Sequence, residues 1–316
     1  MRSVKQKTTS VWIVQPISKL NSKSKDASDL IVEAVALTKA LPSTKISGST
    51  IVKLEKLSPK EFFGKGKIAE LSSVFKSNKI GLVIINGQIS PIQQQNLEKK
   101  WQVKILDRTA LILEIFSDRA VTKEGVLQVE MAALTYQRSR LVRAWTHLER
   151  QRGGLGFVGG PGETQIEADK RAIDSQLISL RRQLEKIRKT RELHRNSRAK
   201  VPFPIVALVG YTNAGKSTLF NALTGAQEFS ADMLFATLDP KMRSIKLDSC
   251  TKVILSDTVG FISDLPTELI AAFRATLEEV LTADLILHVR DISHENTENQ
   301  SFEVGKVLKS LSLIHI

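Results

Sequence analysis

The sequence predicts an α/β protein in three parts. These are an N-terminal parallel α/β domain over residues 1–121, an antiparallel helical hairpin over 122–200, and a doubly wound α/β domain over 201–316. Three observations lead there. Short apolar runs alternate with helical patterns through the first 120 residues, two long segments without proline or glycine follow, and the alternation resumes after Pro202 and Pro204. Strands that alternate with helices build a parallel sheet covered on both faces.

In the first part, Val11–Val14, Thr50–Leu54, Gly81–Ile85 and Val103–Leu106 read as strands. Ala27–Leu41, Ser58–Ser77 and Ser90–Trp101 read as the helices between them, two of them opening at Ser-Pro. In the second part, Leu127–Arg150 and Thr164–Lys200 are the uninterrupted segments. Ile166, Ile173, Leu177, Leu180, Leu184 and Ile187 recur at spacings of 7, 4, 3, 4 and 3, a heptad seam suited to a neighbouring antiparallel helix. The remaining face carries Arg181, Arg182, Lys186, Arg188, Lys189, Arg191, Arg195 and Arg198. Solvation alone would favour mixed signs there.

Composition narrows the function classes. The chain of 316 residues is 42% hydrophobic and has no apolar run near the ~18 residues of a membrane span. Its single cysteine, Cys250, excludes an internal disulfide and a cysteine-clustered zinc site. A monomeric cytoplasmic protein without a membrane partner is expected. Basic residues outnumber acidic ones 25 to 13 over 1–150 and 12 to 6 over 151–200, while acidic residues lead 14 to 9 over 201–316. A basic front and an acidic rear point to a polyanion partner for the front, the bland alternative being a generally basic proteome.

The loop Gly153-Gly-Leu-Gly-Phe-Val-Gly-Gly-Pro-Gly162 contains a literal G-x-G-x-x-G at Gly154, Gly156 and Gly159. It follows a helix, whereas a dinucleotide fingerprint requires a preceding strand, so NAD chemistry is set aside. A tip that presents backbone N–H groups to a phosphate-rich surface and a plain flexible linker are the two readings of this loop.

The chemistry begins at the apolar strand Ile205–Val209. It runs into Gly210-Tyr-Thr-Asn-Ala-Gly-Lys-Ser217, and the helical stretch Thr218–Leu223 follows. This is G-x-x-x-x-G-K-[ST] in the strand-before, helix-after setting that the motif demands. Glycines let the backbone curl its N–H groups around phosphates at a helix N-terminus. Lys216 reaches the β- and γ-phosphates, and the Ser217 hydroxyl ligates Mg2+. Asp257 closes the strand Lys252–Ser256, 41 residues after Lys216, and can hold the metal directly or through water. Gly260 can donate its N–H to the γ-phosphate and pivot when that phosphate leaves. Between the two lies Phe235-Ala-Thr-Leu-Asp239. Its Thr237 is the candidate switch hydroxyl, preferred to Thr251 and Thr258 on order and loop context.

The nucleotide-contacting set is therefore Gly210, Tyr211, Thr212, Asn213, Ala214, Gly215, Lys216, Ser217 and Thr218, with Phe235, Ala236, Thr237, Leu238 and Asp239, and with Asp257, Thr258, Val259 and Gly260. Lys216, Thr237 and Gly260 are the expected catalytic residues. Ser217, Thr237 and Asp257 are the expected metal ligands.

Together these three motifs resemble the translation-factor-like GTPases. The strings Gly159-Gly-Pro-Gly-Glu-Thr-Gln-Ile-Glu167, Leu106-Asp-Arg-Thr-Ala-Leu111 and Trp145-Thr-His-Leu-Glu149 are similar to the HflX family of ribosome-associated GTPases, and the resemblance spans nearly all the chain. It implies GTP as substrate, Mg2+ as cofactor, and the large ribosomal subunit and its rRNA as partners. It also implies a role in ribosome splitting, rescue or biogenesis, with nucleotide state controlling ribosome association.

Phe261 stands directly after Asp257-Thr-Val-Gly260, where a glutamine often orients the attacking water. Phe cannot hydrogen-bond water, so it is expected to pack against the sheet or the neighbouring switch and to leave intrinsic hydrolysis slow. Asn213 resembles the P-loop asparagine of GTPases that recruit K+; the other reading is that it shapes the turn. No Asn-Lys-x-Asp base-reading string follows Leu285–Arg290, so the last domain is expected to be truncated and guanine specificity rests on the resemblance. An RNA-binding ATPase and an RNA-binding module with a vestigial P-loop remain the alternatives.

Overall fold

The computed structural model describes residues 8–18, 27–54, 58–151, 161–198, 203–226, 234–235, 237–247, 251–263 and 280–314. Chain contacts divide it into two compact units. One comprises Met1–Asp118 with Ala133–Ser175, the other Arg119–Ala132 with Gln176–Ile316. Most of the glycine-rich loop and Cys250 lie outside the described residues.

The first unit holds a four-stranded parallel sheet in the order β2-β1-β3-β4, with β1 Thr9–Ser18, β2 Thr44–Leu54, β3 Leu82–Ile85 and β4 Lys104–Asp107. All four residues of β3 are buried, as an interior parallel strand covered on both faces requires. Edge strand β2 alternates half-buried and exposed residues along most of its length. Helix α1, Ala27–Lys39, packs on β1 and β2. Helices α2 (Lys65–Ser77) and α3 (Pro91–Trp101) pack on each other. The core joins Val14, Val83, Ile85 and Ile105 to Leu71, Phe75, Leu97 and Trp101. Phe75 meets Trp101 edge to face at 5.0 Å, and the Trp101 indole N–H donates to the Ile68 carbonyl at 3.0 Å.

The start of α3 is dictated locally. Ser90 Oγ accepts from the Gln93 N–H at 3.2 Å while Gln93 Oε1 accepts from the Ser90 N–H at 2.9 Å, a complete capping box with Pro91 next to it. Helix α2 departs from expectation, beginning at Lys65 rather than Ser58. Ser58 and Phe62 form an antiparallel bridge instead, and Phe62 adopts φ 65°. That turn places Phe62 and Phe63 in the core, and their burial outweighs an extra helical turn. A further helix, α4 Arg108–Arg119, was not expected from the sequence. It starts directly at the end of β4, where Asp107 Oδ1 accepts from the Ala110 N–H at 2.8 Å. Strand becomes helix there with no glycine or proline between them.

Helices α5 (Lys123–Gln151) and α6 (Pro161–Arg198) form the middle of the chain. Arg138 pairs with Asp174, and Arg191 pairs with Glu124 at 3.2 Å. Descending α5 thus means ascending α6, the register of antiparallel neighbours. Arg181, Arg182, Lys186, Arg188 and Lys189 are exposed, while Leu177 and Leu180 of the expected seam are buried.

The second unit contains a four-stranded sheet in the order β6-β7-β5-β8, built from β5 Ile205–Gly210, β6 Lys241–Lys246, β7 Lys252–Asp257 and β8 Leu285–Val289. Strand β5 is parallel to β7 and β8, and β6 runs antiparallel along β7. Strand β6, Lys-Met-Arg-Ser-Ile-Lys, carries no apolar run and was not expected. Helices α7 (Lys216–Thr224) and α8 (Thr297–Ile314) belong to the same unit. As an edge strand, β8 leaves Leu285, Ile286 and Leu287 exposed.

Candidate nucleotide and metal site

Strand β5 delivers the phosphate loop to the N-terminus of α7. Gly215 is the residue before that helix and adopts φ 89°, ψ 12°, a left-handed conformation that glycine takes without cost. Asn213 is also left-handed, at φ 62°, a position asparagine tolerates better than most residues. Its backbone therefore does shape the turn, and its side chain is exposed. Within the loop, the Ala214 N–H donates to the Tyr211 carbonyl at 3.3 Å. Thr218 is exposed on the first turn of α7.

Lys216 is 5% exposed, and its ammonium donates to the carbonyls of Tyr211 at 2.7 Å and Gly210 at 3.2 Å. Burial pushes it down to about 8, against the pull of Asp257. A buried ammonium held by two carbonyls is a charge in want of an anion.

Behind it, three elements converge. Ser217 Oγ from α7 donates to Asp257 Oδ2 at 2.7 Å, Thr237 Oγ1 donates to the same oxygen at 3.0 Å, and the two hydroxyls lie 2.9 Å apart. Asp257 is 1% exposed, and its Oδ1 has no hydrogen-bond partner among the described residues. Burial raises its carboxyl above the usual range, opposed by the two hydroxyls and then by Lys216. Two hydroxyls and a carboxylate with an unused buried oxygen form a hard, oxygen-only donor set, which suits Mg2+.

Gly260 lies against Thr212 and Lys216. A Cβ there would lie 2.6 Å from Thr212 Cα and 3.0 Å from Lys216 Nζ, so the chain comes this close only as glycine. Phe261 is 4% exposed and joined to the P-loop by its backbone. The Phe261 N–H donates to Gly210 O at 3.1 Å, and the Thr212 N–H donates to Phe261 O at 2.7 Å. Its ring packs, as expected, and offers nothing to a water molecule.

The remaining expected residues have the following partners and burial. Thr258 Oγ1 donates to the Leu208 carbonyl at 2.6 Å, tying the end of β7 to β5. Val259 and Leu238 are buried, as is Phe235, which is held at φ 57°. Ala236 lies outside the described residues. The Asp239 carboxylate is engaged with the backbone at the start of α5. One contact went unforeseen. The Tyr211 hydroxyl accepts from the Ser263 N–H at 2.8 Å and meets Ser263 Oγ at 2.8 Å, pinning the segment after Phe261 to the P-loop. The only sequence signal was a tyrosine in a loop whose other residues, Lys216 apart, are small.

Family models describe three consecutive stretches of this chain. The GTP-binding GTPase N-terminal region matches residues 28–117, the GTP-binding GTPase middle region 119–198, and the 50S ribosome-binding GTPase 205–315. A GTPase HflX of Magnetococcus marinus is 49% identical over 292 residues, covering 92% of this chain and 68% of that protein. The chain belongs to the HflX family of GTPases. An HflX of Escherichia coli is 48% identical over 253 residues, covering 80% of this chain and 59% of that protein. The chain thus spans roughly two thirds of its HflX relatives' length, between 59% and 68% for these two. Among solved structures, SsGBP in complex with GDP matches at a TM-score of 0.52 and 26% identity, covering 95% of this chain and 78% of that one. The HflX assignment accords with a doubly wound P-loop domain following a parallel α/β domain. Among the described residues, no helix is long and apolar enough to cross a membrane.

Proposed function

We propose that this protein is a Mg2+-dependent GTP hydrolase that binds the large ribosomal subunit, and that its nucleotide state controls that association in ribosome splitting, rescue or biogenesis. The observation that carries the reading is the convergence of Ser217, Thr237 and Asp257 within 3.0 Å of one another beside the buried Lys216. Ser217, Thr237 and Asp257 would hold the metal, which supplies charge neutralisation at the β- and γ-phosphates. Lys216 exchanges its two carbonyl partners for phosphate oxygens. Gly260 presents its backbone to the γ-phosphate, and the P-loop N–H groups cradle the phosphates at the head of α7.

Phosphoryl transfer asks the protein chiefly for positioning and charge stabilisation. Phe261 contributes neither to the attacking water, so intrinsic turnover is slow and the ribosome accelerates it by ordering the switches. Asn213, exposed at the P-loop tip, would help to hold K+ near the phosphates. The exposed basic residues of α6 and the net positive balance of the first 200 residues support rRNA as the polyanion partner. The name of the family model over 205–315, a 50S ribosome-binding GTPase, points the same way.

The test is GTP turnover in K+ and in Na+, each with and without ribosomes, and each repeated in EDTA. Turnover stimulated by ribosomes, higher in K+ and abolished by EDTA is expected. Equal rates in all four salt and ribosome conditions would remove both the K+ and the ribosome arguments, and turnover surviving EDTA would remove the metal.

A further inference from the structure

Asp239 lies two residues beyond Thr237, yet its side chain serves another element. Asp239 Oδ2 accepts from the Val121 N–H at 3.1 Å and the Thr122 N–H at 2.9 Å, and Asp239 Oδ1 accepts from Thr122 Oγ1 at 2.5 Å. Thr122 Oγ1 in turn accepts from the Gly125 N–H at 3.0 Å, capping the helix α5 that starts at Lys123. The approach is close enough that a side chain on Gly125 would displace the carboxylate. A Cβ on Gly125 would stand 2.3 Å from Asp239 Oδ1. All of these residues belong to the second unit, and α5 leaves that unit after Ala132.

These contacts coexist with Thr237 on the metal-ligand cluster, its hydroxyl 3.0 Å from Asp257. Only Leu238 separates Thr237 from Asp239, so the two anchors hold one short stretch of chain from both ends.

We propose that Asp239 is a positioning residue that ties the Thr237 switch to the N-terminus of α5, so that Thr237 engages the metal cluster and α5 is clasped in the same nucleotide state. This rests on the GTPase reading of the site. When the γ-phosphate and metal draw Thr237 in, Asp239 is delivered to Val121 and Thr122. When they leave, switch and clasp loosen together. Linkage makes the effect reciprocal: weakening the clasp must weaken binding of the triphosphate more than binding of the diphosphate. The anion at the N-terminal end of α5 also complements the helix dipole, so charge as well as hydrogen bonding enters the coupling.

The experiment measures affinities for GDP and for a non-hydrolysable GTP analogue, with Mg2+, in the wild type, Asp239→Asn and Gly125→Ala. Amide exchange at residues 121–125 is followed in both nucleotide states. The wild type should prefer the analogue in parallel with greater protection at 121–125. Both variants should lose about tenfold of that preference, within the range of ordinary coupling energies. Their GDP affinity should be retained, which separates loss of coupling from loss of folding. Wild-type discrimination preserved in both variants, or exchange at 121–125 that ignores the nucleotide, would overturn the tie while leaving the GTPase reading intact. Failure of the wild type to bind either guanine nucleotide would overturn that reading, and the tie with it.

Discussion

Two of the charged groups in the nucleotide site, Lys216 and Asp257, are buried. Lys216 leans on carbonyls, and Asp257 shares one oxygen between two hydroxyls while the other has no partner among the described residues. Burial opposes both charges, so each stands to gain from a ligand that compensates it, a phosphate for one and a metal for the other. Gly260 sets how closely the second switch approaches them. Gly260→Ala puts a methyl 2.6 Å from Thr212 Cα, a backbone atom that cannot swing aside. The expected outcome is GDP affinity within a few-fold of wild type and turnover lower by about 10²-fold, the usual penalty for a misplaced positioning group. Steady-state GTP hydrolysis beside GDP titration checks it, and unchanged turnover would mean that Gly260 does not approach the phosphates. Much of this was legible in the sequence, because glycine, lysine and hydroxyl at fixed offsets between a strand and a helix have few other uses. The destination of the Asp239 carboxylate was not. It lies 117 residues from Thr122, and a carboxylate beside a switch threonine looks like part of the nucleotide site until the fold brings the start of α5 to it.

At the level of elements, local signals succeeded where they were complete. Ser90, Pro91 and Gln93 start α3 within three residues, and that boundary was readable. The beginnings of α2 and α4 were not, because each is decided by tertiary partners. Phe62 and Phe63 are pulled into the core, and Asp107 ends a strand and caps a helix at once. Strand β6 was invisible because an antiparallel edge strand of lysine, arginine and serine lacks the apolar run that marks a buried one. Asp107 also joins α5 to the first unit. Arg140 Nη1 donates to Asp107 Oδ2 at 3.1 Å and to the Tyr136 hydroxyl at 2.8 Å, and Asp107 is 2% exposed. Burial, followed by the charge of Asp107, pushes the Tyr136 phenol up. Asp107→Ala leaves Arg140 partly buried without its carboxylate and removes the α4 cap, a loss of about 3–5 kcal/mol. Asp107→Asn keeps an acceptor for the cap and is expected to lose less. Urea denaturation followed by Trp fluorescence measures the difference, and equal stability of all three proteins would show that neither the pair nor the cap contributes.

Over the whole molecule, charge and chemistry are segregated. The first 200 residues carry 37 basic against 19 acidic groups, and the remainder, which holds the nucleotide site, carries 9 against 14. A nucleotide switch in the acidic part matters to a polyanion only if its state reaches the basic part, and α5 and α6 are both covalent routes, since α5 passes from the second unit to the first after Ala132 and α6 returns to the second after Ser175. Nucleotide-dependent grip on ribosomes is therefore the property to measure. Co-sedimentation with large subunits should be carried out with a GTP analogue, with GDP and with no nucleotide, each at 50 and 200 mM salt. The expected result is retention with the analogue well above the other two, falling by roughly 10³–10⁵ in affinity across that salt range if 6–10 phosphates are contacted. Ribosome binding of equal strength in all three nucleotide conditions, or none in any, would contradict it.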